Sequence, residues 1–132
     1  YDGFYSDDPT HALMHGPTFM GNALACSVAL KSIELFEKED YMSKIQKIAE
    51  ITKREMQNFS DPRIKEVRMM GGCVCIEVYD QETLKGFQAF AYQHGVFSRP
   101  FLTYMYAMVP YIIKEEELIK VLDTMKAWFK RG

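Results

Sequence analysis

The hydrophobic rhythm of this chain changes partway along and then changes back, and that limits the fold more than any single motif does. Through residues 23–59 apolar side chains recur three and four apart. The first set is Leu24, Ala25, Val28, Ala29, Ile33 and Phe36, and the second is Met42, Ile45, Ile48, Ala49, Thr52, Met56 and Phe59. This spacing predicts two helices, over about 23–37 and from 39–41 to 59, each with one apolar face. Ser60-Asp61-Pro62 reads as a turn. Beyond it the spacing falls to two. Residues 64–70 and 73–79 predict strands joined by a Gly71-Gly72 bend. On the second strand Val74, Ile76 and Val78 should face the helices, and Cys73, Cys75, Glu77 and Tyr79 should face away.

The remainder repeats the mixture on a smaller scale. Asp80 is placed to cap a helix carrying Leu84, Phe87, Phe90 and Ala91, which Gly95 stops. Residues 96–98 and 106–109 predict two more short strands, with Pro100 and Pro110 limiting how far each can pair. A last helix over about 115–130 turns Leu118, Val121, Leu122, Met125, Trp128 and Phe129 inward. Glu115, Glu116 and Glu117 open it and Lys126, Lys130 and Arg131 close it, in the sense the helix dipole favours. Lys114 is a poor cap, which predicts a frayed start. Four short, mostly antiparallel strands with helices on one face make an α/β (α+β) two-layer sandwich.

Composition sets outer limits. A chain of 132 residues with 48% hydrophobic residues can bury one core. A net charge of −2 gives no electrostatic grip on nucleic acid or an anionic membrane. No apolar run reaches the length of a membrane-spanning helix. Three cysteines without a framework point to reduced thiols and a cytosolic protein. Cys73 and Cys75 are expected to pack in apolar surroundings rather than bind metal, and His11, His15 and His94 show no ligand spacing. Residues 1–14 are aromatic and acidic and read as an exposed connection. The first residue is Tyr, so the chain reads as a piece of something longer.

Two stretches could carry chemistry. In His15-Gly16-Pro17-Thr18-Phe19-Met20-Gly21-Asn22-Ala23-Leu24-Ala25-Cys26, glycines and a proline hold a loop that turns into a helix, with Asn22 as its N-cap. Thr18 offers a hydroxyl and an N–H close to that helix start, the donors a phosphate monoester wants. Taken alone, the junction reads more readily as an ordinary cap. Arg99 stands between Phe97 and Phe101, beside Pro100. It is either a paired, functional arginine or a plain surface one.

The strings HGPTFMGNALAC and Gly95-Val96-Phe97-Ser98-Arg99-Pro100-Phe101, with Tyr106, Met108, Pro110, Tyr111, Ile112 and Ile113 after them, resemble the class III pyridoxal-phosphate aminotransferases over nearly the whole chain. The resemblance implies the small C-terminal domain of a fold-type I transferase. Residues 1–22 would be a cofactor and substrate loop leading from a large domain, and residues 23–132 the small domain with its linking helix. It implies that Pro17 and Thr18 bind pyridoxal 5'-phosphate across a homodimer interface, and that Gly16, Arg99 and Tyr106 bind substrate, with Arg99 holding a carboxylate. No catalytic residue and no metal site falls in the chain. The Schiff-base lysine and the aspartate that pairs the pyridine nitrogen would lie upstream of Tyr1, leaving this piece inactive alone and His15 structural. The most similar members move an amino group from S-adenosylmethionine to 8-amino-7-oxononanoate, giving 7,8-diaminononanoate in biotin biosynthesis. Members acting on ornithine, 4-aminobutyrate or a diamine are the near alternative, and a free-standing, non-catalytic α/β binding module is the distant one. Two departures stand out: Ala23 replaces a usual Pro, and Phe97-Ser98 replaces a commonly bulkier Trp-Ile pair.

Overall fold

The alternation through residues 64–78 produces a hairpin. In the computed structural model, which describes residues 3–16, 18 and 20–131, β1 (Ile64–Met70) and β2 (Cys73–Val78) pair antiparallel from Met70 opposite Cys73 to Ile64 opposite Val78. A register shift separates Ile64 from Glu66. The bend between the strands needs a left-handed residue, and Gly71 supplies it at φ +54°. β3 (Tyr104–Met108) joins the other edge of β2, giving a three-stranded sheet in the order β1-β2-β3.

The chain divides into two compact units, Tyr1–Lys38 and Glu39–Gly132. In the second, α2 (Tyr41–Met56), α3 (Phe87–Gln93) and α4 (Glu115–Phe129) cover one face of the sheet. Val74, Ile76 and Val78 point into them as the alternation requires, each at most 2% exposed. Ile76, Phe87, Met105 and Leu122 are fully buried. The opposite sheet face carries Arg68, Cys75, Glu77 and Tyr106.

Several local expectations need correction. Residues 96–98 form no strand. They have no regular structure and lie beside β3 through the Ser98 side chain, and the one bridge in that region among the described residues joins Phe101 to Tyr104. The sheet therefore has three strands rather than four. The helix expected after Asp80 is broken. Asp80 caps a short 3-10 turn, Gln81–Leu84, by accepting from the Glu82 N–H at 3.0 Å. Gly86 at φ +87° then separates that turn from α3. The Trp128 indole N–H donates to the Thr83 carbonyl at 2.9 Å and the ring meets Phe87 edge-on at 5.6 Å, so the break is pinned from α4. On α2, Met42 is exposed and Ile51 buried. Ile45 lies against the Gly71 bend, and Met42 stands one turn nearer the helix start. Cys73 and Cys75 are half-buried on the sheet's outer face rather than packed in the core. The start of α4 is closed from within, where the Glu117 carboxylate accepts from the Lys114 N–H at 3.0 Å.

The first unit is built differently. A 3-10 turn, Pro9–His11, is held by Asp8, which accepts from the Thr10 N–H at 2.9 Å and its hydroxyl at 2.8 Å. α1 (Ala23–Lys38) follows and buries none of its residues.

Candidate functional site

The groove that carries Arg99 begins at the end of α3. There the Gly95 N–H donates to the Tyr92 carbonyl and the Val96 N–H to the Ala91 carbonyl, both at 2.9 Å. Gly95 sits at φ +71°. This is the paired bonding of a Schellman stop, which only a residue free to adopt positive φ closes cheaply. It reverses the chain into residues 96–101. Val96 and Ser98 turn inward, each 6% exposed, while Phe97 and Arg99 turn out. Leu102, at φ +50°, then folds the chain back into β3.

Arg99 and Tyr106 thereby come together on the lining of one groove of about 570 Å³. Its walls are largely aliphatic, with Val96, Ala107, Val109, Ile113 and Val121 among them, and Glu117 and Lys120 from α4 complete the rim. Among the described residues Arg99 is exposed and has no ion pair. An open guanidinium above an apolar wall suits a ligand with a carboxylate and a hydrocarbon chain. Sequence reasoning missed the α4 contribution and the inward Ser98. The in-out alternation of residues 96–99 is the signal that could have revealed Ser98.

The sheet's outer face holds a second charged cluster. Glu77, its side chain 10% exposed, receives Lys65 at 2.7 Å and Arg68 at 3.0 Å. The Lys65 hydrogen bond, aided by the charges of Lys65 and Arg68, holds the Glu77 carboxyl below its ordinary value of 4.5. Burial pushes the Cys73 thiol up.

The loop residues belong to the first unit. Thr18 is exposed in a turn. Gly16 is also exposed, and a side chain there would meet nothing within 4 Å. Pro17 lies outside the described residues. Gly21 takes φ +73°, and Asn22 caps α1 through its side-chain oxygen, which accepts from the Ala25 N–H at 2.9 Å. The Cys26 N–H closes the first turn onto the Asn22 carbonyl at 2.9 Å. His15 is exposed, its backbone N–H donating to the Leu13 carbonyl. A hydroxyl in a glycine-flanked turn beside a capped helix start is a donor set that fits a phosphate monoester.

The sequence profile of the family described as Aminotransferase class-III matches residues 5–129. The chain belongs to the class III aminotransferases. This family identity makes its fold that of a fold-type I pyridoxal-phosphate transferase subdomain. Among individual proteins, it is 39% identical to the adenosylmethionine-8-amino-7-oxononanoate aminotransferase of Saccharomyces cerevisiae, over 87% of this chain and 26% of that protein. It is 38% identical to the enzyme of that name from Aquifex aeolicus, over 85% of this chain and 27% of that one. The crystal structure of the Methanocaldococcus jannaschii enzyme of that name superposes with a TM-score of 0.76 at 27% identity, covering 93% of this chain and 31% of that one. This class III chain therefore spans about a quarter of the length of the relatives it matches.

Proposed function

We propose that this chain is the C-terminal part of a cytosolic, homodimeric aminotransferase that moves an amino group from S-adenosylmethionine to 8-amino-7-oxononanoate, making 7,8-diaminononanoate for biotin. The observation that carries the reading is the unpaired Arg99 beside Tyr106 on an aliphatic groove. That acceptor has a carboxylate at the end of a hydrocarbon chain, the combination this groove suits. The names of the similar yeast and Aquifex proteins support the same choice.

Each residue then has a distinct task. Arg99 holds the acceptor carboxylate through its planar pair of donors. Tyr106 lines the same groove and limits how the chain lies. Gly16, with open space around it, leaves room for substrate. Pro17 and Thr18 lie in the stretch 1–22, which leads from the large domain and reaches the neighbouring subunit's site. Thr18 donates to the phosphate of pyridoxal 5'-phosphate, aided by the positive end of α1. The cofactor, when bound, supplies an electron sink. The lysine that carries it and the aspartate at its ring nitrogen belong to the rest of the parent enzyme, and residues 1–132 alone are inactive. None of this chain's residues moves the proton.

The test is Arg99→Ala in the full-length enzyme. Loss of a bidentate, charge-assisted contact should raise the acceptor KM about 10- to 100-fold with the donor KM little changed. An unchanged acceptor KM removes Arg99 from this role. Assaying ornithine, 4-aminobutyrate and diamines as donors beside S-adenosylmethionine separates the proposed activity from those of its relatives.

A further inference from the structure

The stretch that bears Arg99 lacks a strand ladder, and a buried side chain stands where the ladder would be. The Val78 N–H donates to the Thr103 carbonyl at 2.9 Å and the Val109 N–H to the Gly72 carbonyl at 3.1 Å. These rungs fix the phase of β3. Hydrogen-bonded residues alternate along an antiparallel pair. Met105 and Ala107 therefore exchange bonds with Ile76 and Val74 of β2, and the amide groups of Tyr104 and Tyr106 turn to the free edge. At that edge Tyr104 and Phe101 exchange a two-way pair, both bonds 2.8 Å. The same register sets Arg99 opposite Tyr106. Among the described residues no backbone bond joins them. Instead the Ser98 hydroxyl donates to the Tyr106 carbonyl at 2.9 Å from a position only 6% exposed.

We infer that Ser98 is a positioning residue for Arg99: its hydroxyl, bonded to the Tyr106 carbonyl in place of a backbone rung, fixes where the guanidinium leaves the hairpin. The inference rests on the reading of Arg99 as the carboxylate anchor. Ser98 points in and Arg99 points out from adjacent backbone positions. Pro100 fixes the φ that follows. A single hydroxyl bond therefore registers Arg99 against Tyr106, the other residue of the pair. Removing it leaves a carbonyl at the edge of β3 without its donor and lets residues 97–100 drift from the groove.

The experiment compares Ser98→Ala, Ser98→Thr and Arg99→Ala in the full-length enzyme. Ser98→Ala should raise the acceptor KM about three- to tenfold, the effect of one neutral hydrogen bond, with a smaller change in kcat and none in the donor KM. Ser98→Thr, which keeps the hydroxyl, should restore most of the acceptor KM. Amide exchange gives a reading independent of activity: Ser98→Ala should speed exchange across residues 97–101 while Ile76 and Met105 stay protected. If Ser98→Ala leaves the acceptor KM unchanged while Arg99→Ala raises it, the positioning role is overturned and the anchor reading survives. Equal loss for donor and acceptor, with faster exchange across the whole sheet, also overturns it, because that is general loosening. An Arg99→Ala enzyme with an unchanged acceptor KM overturns the anchor reading and this inference together.

Discussion

The two units of the chain are held by different physics. In residues 39–131 a continuous core, with Ile76, Phe87, Met105 and Leu122 wholly buried, fixes the sheet and three helices. In residues 3–38 the turn and the helix cap are held by local hydrogen bonds. Asp8 ties one turn, Asn22 caps α1, and the helix buries nothing, leaving Leu24, Val28 and Ile33 between 57% and 76% exposed. The candidate residues of each unit inherit this difference. Arg99 is set by tertiary packing at the end of α3 and the edge of β3. Thr18 is set by a glycine turn and a cap. A binding group on a packed scaffold is pre-organised, whereas one on a locally held loop acquires its final position from its surroundings.

The largest effect that could break this comparison is in the core. Phe87→Ala should cost about 3–5 kcal/mol of stability, because it removes a fully buried ring packed against Trp128. Val28→Ala on α1 should stay within about 0.5 kcal/mol, as exposed substitutions do. Urea unfolding of the two variants measures the difference. Comparable losses would mean that α1 is stabilised by burial after all.

Next in size is the loop. In the full-length enzyme Thr18→Ala should weaken pyridoxal 5'-phosphate about 10- to 100-fold, the loss of one charge-assisted hydrogen bond. Titration of the cofactor-free enzyme reads it. Cofactor affinity within twofold of the original would show that Thr18 is an ordinary turn residue. Smaller again is the cap: Asn22→Ala should lower helix stability by about 1 kcal/mol, visible as faster amide exchange in α1 with α2 and α4 unchanged.

The sequence made the locally determined features readable and left the tertiary ones obscure. Asn22 as cap, Gly95 as stop and the inward set Val74, Ile76 and Val78 all follow from residue chemistry or from period, and the structure has them. The family-bearing strings were equally legible, since Arg99 and Thr18 lie inside them. What was not legible depends on partners far along the chain. The break at Gly86 is pinned by Trp128 from α4, 42 positions away (128 − 86). The missing fourth strand turns on whether Tyr106 bonds to the Arg99 backbone or to the Ser98 side chain, a choice that alternation alone does not decide. The exposure of α1 is a third case. Its 3–4 spacing is a sound helix signal, but spacing says which face is apolar and not what covers it.

The smallest effect belongs to the outer face of the sheet and shows only as a dependence on pH. Lys65 and Arg68 hold the Glu77 carboxyl below its ordinary value of 4.5. A carboxylate whose pKa is depressed by folding binds fewer protons folded than unfolded, so its contribution is present above the unfolded value and is lost as pH falls through the folded one. Stability should therefore be flat near neutrality and decline on the acid side of 4.5. Glu77→Gln removes this titration, so the variant should lose less stability than the parent between neutral and acid pH while starting lower at neutral pH. The comparison is sharpened by Asp8 in the first unit, whose carboxyl is also lowered, there by the Thr10 hydrogen bonds. Asp8 secures one turn and no core, so Asp8→Asn should leave the acid limb of the cooperative unfolding curve where it was. An equal shift from both variants would show that the two units unfold as one.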